Sequence, residues 1–182
     1  MNQAQIFLIA EQFDFKGQPI SVTECTTGHI NSTYFVDCSS DDGLVRYVMQ
    51  IVNTSIFKKP DQVMQNILHI TKHIENKLIA TGGDAKRGTL HVVYTKNGTY
   101  SYVDGEGQYW RAYEFVENAT CYQAVESEEM FTKVGKAFGI FQRQLADFDS
   151  SLLYESIPNF HNTEDRFNQF IVAMEKDAAG RR

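Results

Sequence analysis

The sequence predicts an α+β fold in two parts, a strand-rich first part carrying one inserted helix and a helical second part. Three observations carry this expectation. Short runs rich in β-branched and aromatic residues, bounded by turn residues, occupy 20–51 and 89–116. Between them, a stretch opened by Pro60 places apolar residues three and four apart. After Glu117 the apolar period becomes helical, with "EFVENA" at the junction. The division therefore falls at 1–116 and 117–182.

The elements follow in chain order. "MNQAQIFLIAEQ" holds five consecutive apolar residues and no basic start, short of a signal peptide and far short of a membrane span, so the expected compartment is the cytoplasm. "ISVTECT" alternates, "STYFVDC" is β-branched and aromatic, and "LVRYVMQIV" is a long run closed by Asn53, with "SSDDG" as the turn before it. In "DQVMQNILHITKHIENKLI", Val63, Ile67, Ile70 and Ile74 form a helical face, which "TGGD" ends. Three further strands are expected in "TLHVVYT", "TYSYV" and "QYWRAYEFV", joined by the Asn97-Gly98 turn and by "DGEG".

Ser127 suits the N-cap of a helix whose first turn holds Glu128 and Glu129 and whose apolar face runs from Met130 and Phe131 through Val134, Phe138 and Phe141 to Leu145 and Phe148. A second helix begins near Asn162, with Phe167, Phe170, Ile171 and Met174 along one side. Two helices with one aromatic face each need partners, and "EKDAAGRR" offers no capping element. The expectation is a natural protein that continues beyond Arg182, and a fragment that self-associates through its uncovered faces.

Composition narrows the function classes. With 42% hydrophobic residues in 182, the chain can bury a substantial core. A formal charge of -6, with no basic run longer than Lys58-Lys59 and Arg181-Arg182, argues against nucleic acid as a partner. The cysteines Cys25, Cys38 and Cys121 are odd in number and scattered, which suits reduced thiols in small core spaces. Sequons at Asn31, Asn53, Asn97 and Asn118 carry meaning only in a secreted chain. His69 and His73 share a zinc-pair spacing, but no third ligand is nearby, so they read as surface or half-buried histidines.

The loop "TTGHINST" between the first two strands is the main chemical signal. Gly28 lets a backbone come close to a ligand, and Thr26, Thr27, Ser32 and Thr33 add hydroxyls to the amides of Ile30 and Asn31, a set able to cradle phosphate oxygens. The plain alternative is a polar hairpin turn. Read with "RYVMQIVNTSIFKKPDQVMQNI", "YWRAYEFVENATCY", "AFGIFQRQLADFD" and "IPNFHNTEDRF", the segment "GHINSTYFV" resembles the bacterial N-acetylhexosamine 1-kinases of the aminoglycoside phosphotransferase and choline kinase superfamily.

The resemblance runs from about Phe13 to Arg181 and implies a protein-kinase-like fold, with 1–116 as a nucleotide-binding N-lobe and 117–182 as the start of a helical C-lobe. It implies ATP and Mg²⁺ as cofactors and a sugar phosphorylated on its anomeric hydroxyl. The loop residues Thr26, Thr27, Gly28, Ile30, Asn31, Ser32 and Thr33 would then meet the nucleotide phosphates. Gln50 stands where most of the superfamily has a Lys or Arg, so it can bond a phosphate but not neutralise it, leaving more of the charge to metal ions. Asn53 also looks like a family position, with a strand-ending turn as its alternative. His29 would contact the substrate sugar, the alternative being a histidine that orders the turn. Glu114, Phe115 and Val116, in "YEFV", would line the adenine slot with main-chain atoms, although the same string also suits a buried edge strand.

"HNTEDRFN" invites reading as a kinase catalytic loop, but Thr163 occupies the Asp position and the segment reads as a helix start. The catalytic and metal-binding carboxylates of the resembling kinases have no counterpart in these residues, so the chain by itself is expected to be inactive, with no catalytic and no metal residue of its own. Rival readings are a kinase of the same superfamily acting on choline, homoserine or an aminoglycoside, and a non-catalytic nucleotide-binding or interaction module.

Overall fold

The computed structural model describes residues 2–122 and 124–181. A twisted antiparallel sheet organises the first part. Its strands are β1 (Gln18–Cys25), β2 (Ser32–Ser40), β3 (Gly43–Ile51), β4 (Val92–Val93), β5 (Tyr102–Val103) and β6 (Tyr109–Glu114), in the order β1-β2-β3-β6-β4, with β5 also on β6. Helix α1 (Gln3–Ala10) precedes the sheet, and α2 (Pro60–Ala80) and the short α3 (Ala85–Gly88) lie between β3 and β4. Helices α4 (Glu128–Gln144) and α5 (Thr163–Lys176) follow, separated by a 3-10 turn at Ser150–Leu152. The α+β class and the single helix pattern between two groups of strands agree with the sequence, with α3 as an added turn.

Period-two alternation sends side chains to two sheet faces. Tyr34, Val36 and Cys38 of β2, Tyr47 and Met49 of β3, and Trp110 and Ala112 of β6 share one face, where they pack with Ile6, Ile9 and Ala10 of α1 and with Phe13 and Phe15. Helix α1 was not expected. Its last five residues, 6–10, are all apolar and show no amphipathic period, while Asn2 and Gln5 form a reciprocal capping box, each side chain accepting the other's amide N–H at 2.9 Å. The opposite face is covered near β6 by α2, through a cluster of Val52, Met64 and Tyr109. Burying a side chain such as Met64 contributes about 1.5–3 kcal/mol. Tyr109 donates its hydroxyl to Asp61 at 2.9 Å, which ties the first turn of α2 to the sheet.

Two expected strands are much shorter than their sequence runs. β4 and β5 take successive stretches of one edge of β6, and the hairpin between them closes through Thr95 N–H to Thr99 O at 2.7 Å, with Gly98 at φ +77°. The residues after β4 are claimed instead by the chain leaving α1. Asp14 N–H donates to Tyr94 O and Lys96 N–H to Gln12 O, both at 2.8 Å. The cysteine expectation also needs correction, since only Cys38 is buried while Cys25 is half-buried and Cys121 exposed. Burial raises the Cys38 thiol to about 11, with Asp37 adding to the effect.

The second part caps as its sequence suggests. Ser127 Oγ accepts Met130 N–H at 3.2 Å and Asn162 Oδ1 accepts Asp165 N–H at 3.0 Å, so "HNTEDRFN" is a helix start. Contrary to expectation α5 does have a terminal cap, Asp177 in the left-handed region at φ 38°. Neither α4 nor α5 buries a residue among those described. The segment between them docks on α2: Asn66 Nδ2 donates to Tyr154 O at 2.7 Å, Tyr154 N–H returns to Asn66 Oδ1 at 2.8 Å, and Lys77 reaches Gln144 O at 2.9 Å and pairs with Asp147. His73 is held by Gln144 O at 3.0 Å and meets the Phe148 ring edge-on, whereas His69 is exposed. No helix among the described residues is long and apolar enough to cross a membrane.

Candidate functional site

Strand register arranges the sheet face beside α2 as three cross-strand rows. The first joins Cys25, Thr33, Gln50 and Arg111, the second Thr23, Phe35, Val48 and Tyr113, and the third Ser21, Asp37, Arg46 and Phe115. The exposed loop 26–31 adjoins the first row, and the 114–116 segment leaves β6 beside the third. Two residues of rise separate neighbouring rows, so the face extends about 13 Å from first to third. Its chemistry is graded, from a polar row at the loop, through a largely apolar one, to an ion-paired and aromatic one.

The loop is ordered from both ends. Cys25 Sγ and Thr27 Oγ1 are 3.2 Å apart at its start, and hydrogen bonds to the Thr27 side chain and backbone hold the Cys25 thiol below its ordinary value. At its end, Asn53 N–H donates to Asn31 Oδ1 at 3.0 Å and Asn53 Nδ2 donates to Ile30 O at 3.2 Å. Asn53 Oδ1 also accepts Ser55 N–H at 3.0 Å. Asn53 is therefore both a turn residue and a loop clamp. His29 makes no hydrogen bond among the described residues, so it is not what orders the turn.

Gly28 has an ordinary φ, and a Cβ there would meet only Asn31 O at 3.4 Å and Thr33 Oγ1 at 3.8 Å. Neither backbone strain nor a close protein neighbour calls for glycine at this position. Ile30 is half exposed at 52%, and Ser32 begins β2 with an exposed side chain.

Within the first row, Gln50 Nε2 donates to Thr33 Oγ1 at 3.0 Å. Gln50 Oε1 accepts twice from Arg111, from Nε at 3.1 Å and Nη2 at 3.0 Å. Arg111 is buried, at 9% exposure, with Nη1 4.0 Å from Met64 Sδ and its guanidinium 5.3 Å from the Tyr113 ring centroid. Burial pushes the Tyr113 phenol up to about 12, against the pull of Arg111. The neutral amide at position 50 thus lies beside a fixed cation on the next strand. Sequence reasoning missed Arg111, whose one signal was a charged residue inside the otherwise apolar "YWRAYEFV".

In the third row, Arg46 forks onto Asp37, Nε to Oδ1 at 2.6 Å and Nη2 to Oδ2 at 3.1 Å, and Ser21 Oγ adds a bond of 2.8 Å. The Arg46 bonds hold Asp37 below the usual carboxylate range, although burial works against them. Arg46 also lies over the rings of Phe35 and Phe115, which meet edge to face. Glu114 N–H is taken up by His91 O at 2.9 Å and Phe115 N–H by Arg46 O at 3.3 Å, so this segment is a pinned strand end and not a free loop. Val116 is exposed and lines, with Phe115, Arg87 and His91, a cavity of about 290 Å³. A larger cavity, about 580 Å³, lies between α2 and the β4 edge, among Lys72, Glu75, His91 and Tyr94, away from the loop.

Among the described residues the face presents donors and two guanidinium cations, Arg46 and Arg111, but no divalent-metal cradle. Its one acidic side chain, Asp37, is committed to Arg46, and no group of three or more His, Cys, Asp or Glu comes together among the described residues. The fold thus brings Thr33, Gln50 and the loop together and sets Phe115 at the far end of the same face, with Glu114 in register with Tyr47 and Val116 exposed beyond it.

No protein-family model matches the chain. Among solved structures it is similar to spectinomycin phosphotransferase, APH(9)-Ia, in complex with ADP and spectinomycin, at 11% sequence identity and a TM-score of 0.46. The alignment covers 97% of this chain and 55% of that one, so the chain spans about half the length of that protein.

Proposed function

We propose that this chain is the nucleotide-binding lobe, with the first C-lobe helices, of an ATP-dependent kinase that phosphorylates the anomeric hydroxyl of an N-acetylhexosamine. The observation that carries the reading is the graded sheet face. A polar row beside a glycine-containing loop suits phosphates, and an apolar row of Phe35, Val48 and Tyr113 beside a strand exit suits a flat base. The protein-kinase-like assignment and the choice of sugar rest on the sequence resemblance.

Thr26, Thr27, Gly28, Ile30, Asn31, Ser32 and Thr33 would surround the phosphates, and Glu114, Phe115 and Val116 would border adenine. His29 is exposed and makes no hydrogen bond among the described residues, which leaves its ring available to a sugar. ATP would supply the transferable phosphoryl group. This chain's own part is to bind and orient it, with the Asn53 clamp fixing the loop and α2 excluding water beside β6. Among the described residues no group of three or more His, Cys, Asp or Glu comes together to hold Mg²⁺. Transfer is assigned to carboxylates that these residues do not include.

Calorimetric titration with MgATP and with adenosine tests the lobe assignment, with saturable binding of both expected and ATP the tighter. Failure of either to bind would remove it. The acceptor is tested separately on the complete gene product by ³¹P NMR. A sugar 1-phosphate from N-acetylglucosamine or N-acetylgalactosamine is expected, and phosphorylation of an amino alcohol or aminoglycoside instead would replace the sugar.

A further inference from the structure

Arg111 is a buried cation with no counter-ion among the described residues. Among the described residues no carboxylate lies in ion-pair range of it, and the acidic side chain of α2's first turn, Asp61, is occupied by the Tyr109 hydroxyl at 2.9 Å. Asp104, farther along the β5–β6 connection, is likewise committed, to the Trp110 indole at 2.8 Å. Burying an uncompensated guanidinium is costly, and the neutral partners Gln50, Met64 and Tyr113 offset only part of that cost. A fixed anion arriving on this face would supply the missing charge.

Geometry points the same way. Thr33, Gln50 and Arg111 are directly opposed across three strands, and two hydrogen bonds from one guanidinium to Gln50 Oε1 turn the amide nitrogen toward Thr33 and the loop. Gln50 thereby presents a donor edge toward the loop, backed by a full positive charge. The neighbouring apolar row gives such a charge a poorly screened surrounding, in which Coulomb attraction reaches past one side chain.

We infer that Arg111 is a phosphate-binding residue: together with Gln50 it forms a two-strand donor pair in which Arg111 supplies the positive charge for a nucleotide's phosphates and Gln50 supplies the oriented amide. This rests on the nucleotide-lobe reading. It alters one expectation drawn from the sequence, because charge compensation then does not fall to metal ions alone.

The experiment compares ATP with adenosine, so that only the phosphate-dependent part of affinity is read. In Arg111→Met the affinity for ATP should fall about tenfold or more while that for adenosine is unchanged. In the exchanged variant Gln50→Lys/Arg111→Gln, with the cation moved to β3, the preference for ATP should return. Circular dichroism and melting temperature establish that each variant is folded. Should Arg111→Met not fold, the exchanged variant decides alone: a retained ATP preference supports the inference, and its loss overturns it. An unchanged ATP-to-adenosine ratio in folded Arg111→Met makes Arg111 purely structural and leaves the nucleotide lobe standing. Absence of nucleotide binding by the unmodified chain overturns both.

Discussion

The carboxylate of Asp104 accepts the indole N–H of the fully buried Trp110 at 2.8 Å, and its other oxygen accepts the amides of Glu106 and Gln108 at 2.9 Å each. One side chain thus closes the β5–β6 turn and satisfies the polar atom of the largest core residue.

This arrangement gives the fold a defined acid dependence. Burial pushes the Asp104 carboxyl up, but the Trp110 bond and the amides of Gln108, Glu106 and Gly107 outweigh it, so the folded group titrates below its ordinary value. A depressed folded value means stability that is complete above the unfolded carboxylate value, about 3.9, and is lost as pH falls through the folded one. Asp104→Ala is expected to lower stability at pH 7 by about 1–3 kcal/mol, by leaving the indole N–H without its acceptor. It should also flatten the fall in stability below about pH 4. Urea denaturation across a pH series checks both, and an unchanged acid limb would refute the assignment.

Gly28→Ala separates structural from ligand demands on the loop. With an ordinary φ and no protein atom nearer than 3.4 Å to an added Cβ, the substitution should leave the melting temperature within about 2 °C. If a phosphate sits against this backbone, ATP affinity should nevertheless fall about tenfold. Equal ATP binding by the variant would show that nothing approaches closely there.

Phe131 and Phe138 on α4, and Phe167 and Phe170 on α5, are each more than half exposed, which leaves two aromatic stripes uncovered. The chain is expected to self-associate at micromolar concentration, and Phe138→Glu/Phe170→Glu should shift it toward monomer. Light scattering coupled to size-exclusion chromatography reads this directly, and a monomeric unmodified chain would refute it.

What was legible in the sequence followed from local pattern. β2 alternates buried and open positions so that one register buries Tyr34, Val36 and Cys38 together, α2 repeats at three and four, and Ser127 and Asn162 carry their cap chemistry on their faces. What was hidden depends on nonlocal partners. "TLHVVYT" has full strand character, but residues 12–14 take its later hydrogen bonds, so β4 shrinks to Val92–Val93. The loop was visible as a polar turn, whereas its clamp comes from Asn53, 22 residues beyond Asn31. Arg111 acquires meaning only once register sets it opposite Gln50, 61 positions earlier.

That clamp leads to the last prediction. Asn53 joins the end of the phosphate-loop candidate to the chain leaving β3, through Asn31 Oδ1 and Ile30 O. Asn53→Ala removes its side-chain bond to Ile30 O and the Asx-type turn to Ser55, but keeps the backbone bond to Asn31. At a partly exposed site the loss in stability should be about 1 kcal/mol. The functional cost should be larger than the stability cost, because a loop that must be ordered on binding spends part of the interaction energy on its own entropy. ATP affinity is therefore expected to fall several-fold, with the change carried by a less favourable binding entropy in calorimetry and by faster amide hydrogen exchange across 26–31. Unaltered exchange in the variant would show that the loop is held without the Asn53 side chain, by Cys25 and Thr27 at its start and the Asn53 backbone bond at its end.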